Sequence, residues 1–63
     1  MLVLKDNDNY KIKETDSPNW FRVYVNNESI ALCMSIETAF QVVYREIGDC
    51  DYLTIDDFID VNE

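Results

Sequence analysis

Residues 20–48 read WFRVYVNNESIALCMSIETAFQVVYREIG, and this stretch decides the fold. Trp20 to Val25 is β-branched and aromatic with period-two alternation, the pattern of a strand. Phe21, Val23 and Val25 share one face and Trp20, Arg22 and Tyr24 the other, so one side is apolar and the other amphipathic. Asn26-Asn27 tolerates the left-handed backbone of a tight hairpin. A return strand is expected over Ser29 to Met34, with Ile30, Leu32 and Met34 resuming the core face. From Ile36 the period changes, and Ile36, Ala39, Phe40, Val43 and Ile47 recur at helical spacing. Ser35 can cap the first turn, Glu37 suits the positive end of the helix dipole, and Gly48 supplies a left-handed stop.

Upstream, Leu2 to Lys5 and the alternating Tyr10 to Glu14 flank Asp6-Asn7-Asp8-Asn9, residues that satisfy their own backbone in turns, so an N-terminal hairpin is expected. Thr15 to Asn19 is a turn cluster. Downstream, Asp49 to Glu63 reads two ways. As a strand, Leu53, Ile55, Ile59 and Val61 face one way with Asp57 intruding; as a helix, Thr54 caps a stripe of Ile55, Phe58 and Ile59. The β-branched and aromatic residues between the acids favour the strand. The fold class expected is α+β: a small antiparallel β-sheet with one amphipathic helix packed on one face, residues 1–63 forming a single small domain.

Charge is distributed unevenly along the chain. Glu46, Asp49, Asp51, Asp56, Asp57, Asp60 and Glu63 stand in the last eighteen residues with no Lys or Arg, and they carry most of a formal net charge of −8. A field of this sign attracts basic surfaces and repels nucleic acid and anionic membranes. Sixty-three residues that are 48% hydrophobic can fold, yet a domain of this size buries only about 60% of its unfolded surface, which leaves its stability marginal. Met1 to Leu4 is followed at once by Lys5 and Asp6, which interrupts any signal-peptide apolar stretch, and no run is long enough to span a bilayer. A cytoplasmic protein with two reduced thiols is expected, Cys33 lying within an apolar run.

Catalytic chemistry finds little to work with. The chain has no histidine, which removes the commonest general base and metal ligand. Cys50 lies between Asp49 and Asp51, whose charges raise a thiol's pKa. The single glycine serves the helix stop, so no phosphate-cradling loop is present. Asp56-Asp57 and Asp49-Asp51 offer paired carboxylates, but a single layer pair has little room for a desolvated cleft. Asp6 to Asn9 and Asp49 to Asp51 place oxygens at alternate positions without completing a calcium loop. A non-enzymatic protein without metal or cofactor is expected, and thirteen acids against five bases argue against direct nucleic-acid binding.

Recognition of another protein remains. Carboxylates spread along the C-terminal segment can imitate the charge of a nucleic-acid backbone and occupy a basic groove made for it. The candidate protein-binding residues are Asp49, Asp51, Asp56, Asp57, Asp60 and Glu63, with Trp20, Tyr24 and Tyr52 as aromatic anchors. The competing reading gives the acids to solubility and the Trp20 and Tyr24 face, or an edge strand, to a homodimer.

In the order of Trp20 to Val25, Ser29 to Met34, the helix Ile36 to Ile47 and the acidic final segment, the chain resembles the small acidic proteins that bacteriophages and mobile elements encode to disable host machinery. The order is similar to that of the small RNA polymerase inhibitor of phage T7. The resemblance implies an inhibitor or modulator of a host protein that has a basic nucleic-acid-binding surface, of the anti-defence or transcription-inhibitor type. It rests on element order and charge over about two thirds of the chain, and transfers no individual residue's role.

Overall fold

A computed structural model describes residues 1–17, 19–48 and 52–61. The chain forms β1 (Leu2–Leu4), β2 (Tyr10–Glu14), β3 (Phe21–Val25), β4 (Glu28–Cys33), the helix α1 (Ile36–Ile47), a 3₁₀ turn (Ile55–Asp57) and β5 (Phe58–Asp60). The strands make one antiparallel sheet in the order β4-β3-β2-β1-β5. Both hairpins expected from the sequence are present. After β4, α1 carries the chain across one face of the sheet, so β5 can pair with β1 at the opposite edge.

Local chemistry fixes these elements. Asn26 and Asn27 take φ values of 53° and 67°, the doubly left-handed turn whose twist matches a two-residue hairpin and which Asn adopts more readily than most residues. Ser35 Oγ accepts from the Thr38 amide at 3.2 Å, while Gly48 at φ 78° donates its N–H to the Tyr44 carbonyl at 3.1 Å. Those two bonds satisfy groups that a helix leaves orphaned at its ends.

Alternation on the strands then places the core. Leu2 and Leu4, Tyr10 and Ile12, Phe21 and Val23, and Phe58 stand on the covered face. Ile12, Val23 and Val43 are fully buried, with Leu4, Cys33, Ala39, Phe40 and Phe58 around them. The Phe40 and Phe58 rings stack at 5.1 Å, which ties the helix to the last strand through an offset aromatic pair.

β4 departs from the sequence expectation. Ile30, Leu32 and Met34 are exposed, and Ala31 and Cys33 face the core in their place. The register explains the change: Val23 opposes Ala31 but Tyr24 opposes Ser29, so Ile30 is an extra, bulged residue. One inserted residue reverses which side chains point inward.

The C-terminal segment combines the two readings. Thr54 caps as the helical reading requires, but only a single 3₁₀ turn follows before the strand. Asp57 reaches back to accept from the Thr54 amide at 2.8 Å, a capping box, so it is not an intruder in a strand. Phe58 takes the core position, while Ile55, Ile59 and Val61 are exposed and Leu53 is half-buried. The expectations for Asp49 to Asp51 and for Glu63 lie outside the described residues.

Candidate protein-binding surfaces

The sheet separates charge by sign. Among its strand residues the carboxylates are Glu14, Glu28 and Asp60 and the cations are Lys11, Lys13 and Arg22. Glu14 opposes Phe21, Glu28 opposes Val25 and Asp60 opposes Leu2, which places all three acids on the margins of the helix-covered side. Lys11 opposes Tyr24 and Lys13 opposes Arg22, which places all three cations on the open side. An antiparallel pair aligns like faces, so the separation follows from strand parity alone.

The covered side gathers further acid. Glu37 and Asp56 are exposed, and between α1 and residues 52–55 runs a groove of about 480 Å³. Ile36, Phe40, Leu53 and Ile55 supply its apolar wall, Glu37 and Gln41 part of its rim, and no cation lines it. Tyr52 and Ile55 remain 74% and 55% exposed beside it. Tyr52 is held in place by stacking on Tyr44, with ring centroids 4.9 Å apart. Apolar side chains this accessible, rimmed by charge of one sign, are the usual composition of an interaction surface.

The residues singled out from the sequence divide among several roles. Asp56 is exposed and fits a docking surface. Asp57 is half-buried and occupied by the Thr54 cap. Asp60 lies 3.5 Å from the Met1 ammonium, an ion pair at the sheet edge. Tyr52 lines the groove and Asp56 directly follows its lining residue Ile55 in the chain, whereas Trp20 and Tyr24 are half-buried and belong to the opposite, open side. The fold thus separates two of the three aromatic anchors, Trp20 and Tyr24, from the acids with which the sequence grouped them.

Two contributions escaped the sequence reading. Glu37 was read only as a dipole partner, although its position one residue after Ile36 places it at the groove mouth. Lys11 and Lys13 enter the sequence reading only as part of the count of bases, although their period-two spacing puts them on one face together.

Cys33 carries a free, buried thiol whose pKa is pushed up by desolvation, which disfavours the nucleophilic thiolate. Among the described residues no three His, Cys, Asp or Glu side chains converge to hold a metal ion, and no helix is long and apolar enough to cross a membrane. No family model, curated protein or solved structure matches the chain.

Proposed function

We propose that this chain is a non-enzymatic inhibitor or modulator that docks its acidic side on the basic nucleic-acid-binding surface of another protein, as the host-takeover proteins of phages and mobile elements do. The observation that supports this reading most is the groove walled by Ile36, Phe40, Leu53 and Ile55 and rimmed by Glu37, among whose described lining residues there is no cation, with Tyr52 and Ile55 exposed at it. Carboxylates there compete for Lys and Arg side chains that otherwise hold phosphates, and the exposed apolar residues add desolvated contact area that charge alone lacks. Asp49, Asp51 and Glu63 add to the charge of the same segment. The partner is a protein rather than a nucleic acid, and no membrane or cofactor takes part.

The reading is tested by affinity capture from a bacterial lysate with the wild-type protein and with a Glu37→Gln/Asp56→Asn/Tyr52→Ala variant, at low and moderate salt. A nucleic-acid-handling protein held by the wild type, lost from the variant and released by salt is the expected result. Equal retention by both proteins rules the surface out.

A second reading, self-association, has its own support at the β4 edge. This six-residue strand has no neighbour on one side, and Ile30, Leu32 and Met34 are exposed along it, the situation that invites edge pairing. Sedimentation equilibrium of the wild type and of Ile30→Lys decides whether the edge pairs.

A further inference from the structure

Where α1 begins, at Ile36, the covered side of the sheet has a second hollow of about 330 Å³. Leu2, Ile12 and Phe21, from three adjacent strands, form its floor and Ile36 one wall. Glu14, opposite Phe21, and Asp60, opposite Leu2, stand at its margins. Ile36 also lines the groove beside residues 52–55, so the two hollows meet at that residue. Tyr52 and Ile55 are exposed along the first of them, and Leu2 and Phe21 are half-buried in the second.

We propose that the two hollows form one docking cleft whose occupant is a basic amphipathic segment of the partner protein, with apolar side chains set in series among Lys or Arg residues. It rests on the reading of the acidic side as the inhibitor's docking surface, and it specifies what the partner inserts. Charge complementarity selects a cation. The described lining residues include three carboxylates, Glu14, Glu37 and Asp60, and neither Lys nor Arg. The positive groups are the Met1 ammonium, 3.5 Å from Asp60, and the start of α1, which carries about half a charge. The balance stays negative, and Glu14 and Glu37 are both exposed. Shape selects a polypeptide among cations. Two apolar hollows sharing the Ile36 wall take two successive apolar groups, which an amphipathic segment presents at fixed spacing. A polycation without apolar groups leaves Tyr52 and Ile55 in water and forgoes that burial.

The probe is a synthetic amphipathic peptide of Lys and Leu, titrated into the full chain at moderate salt and followed by backbone amide shifts. Polylysine and an amphipathic peptide of Glu and Leu are parallel titrants. The basic peptide is expected to shift the amides of Ile36 to Phe40, of residues 53–55 and of Leu2 and Glu14, and to bind about tenfold more tightly than either other polymer. Tyr52→Ala/Ile55→Ser and, separately, Glu14→Gln/Glu37→Gln each weaken it several-fold, while Leu32→Ser on the open side leaves it unchanged. Polylysine or the acidic peptide binding as tightly overturns the proposal. So do shifts that leave Leu2 and Glu14 unmoved at saturating basic peptide, because the second hollow then takes no part. Capture from lysate separates this proposal from the reading beneath it. A nucleic-acid-handling protein lost from Glu14→Gln/Glu37→Gln but held by Tyr52→Ala/Ile55→Ser keeps the inhibitor reading and overturns the cleft. Peptide binding as expected, with no such protein captured, supports the cleft and removes the inhibitor reading.

Discussion

The two sides of the sheet are made from the same strands, one residue apart. On β3, Val23 is fully buried beneath α1 while Arg22 and Tyr24 on either side of it stay half-buried and uncovered by the helix. On β2, Ile12 is fully buried between Lys11 and Lys13. The covered side holds the chain together and carries acid at its margins; the open side carries the strand cations and exposed aliphatic groups such as Leu32 and Ile59. A domain this small has little core to spare, so a substitution on the covered side should cost stability and one on the open side should cost little.

Ile12→Ala is the harshest test of that division. It removes a fully buried side chain from the middle of the core and is expected to cost about 3 kcal/mol in urea unfolding, close to the whole stability of a domain this size. If Arg22→Ala destabilises as much, the division between the two sides fails. Gly48→Ala forces a Cβ into a left-handed backbone at φ 78° and should lower stability by about 1 kcal/mol. Asp57→Ala opens the Thr54 capping box and should cost a similar or smaller amount, about 0.5–1 kcal/mol. It should also loosen the wall of the groove, seen as faster amide exchange at residues 54–58.

The buried thiol offers a finer test of the covered side. Burial raises the folded-state pKa of Cys33, so the folded protein holds its proton at pH values where the unfolded chain has lost it. Stability from this source is fully present below the ordinary thiol range and declines as pH rises through that range toward the folded pKa. Unfolding curves of the wild type and Cys33→Ala should run parallel at neutral pH, with the wild type falling more steeply above it. Parallel curves throughout would place Cys33 in water. The smallest stability effect belongs to Arg22→Gln on the open side, expected within about 0.5 kcal/mol.

Much of this architecture is legible along the chain. The alternation of Trp20 to Val25, the Asn26-Asn27 turn and the Ser35 and Gly48 caps each encode their structure within a few residues. The bulge at Ile30 is not legible, because a one-residue slip arises from how β4 meets β3 and the core beneath, and either parity of Ser29 to Met34 offers apolar residues. Thr54 was legible as a cap, but the length of what it caps depends on Phe58 finding Phe40. The candidate surfaces were half legible. Net charge announced the acidic C-terminal segment, yet it concealed that Lys11, Lys13 and Arg22 share one face of the sheet, because a sum over the chain ignores which side of the sheet each residue occupies.

An inhibitor of the proposed kind must occupy a nucleic-acid site with its acidic side. The decisive measurement is displacement: the protein retained from lysate by the immobilised wild-type chain is challenged with duplex DNA and with RNA at fixed ionic strength. Release by nucleic acid, with the Glu37→Gln/Asp56→Asn/Tyr52→Ala variant unable to retain that protein, is the predicted result. Retention that nucleic acid leaves untouched, or that the variant shares, would contradict it.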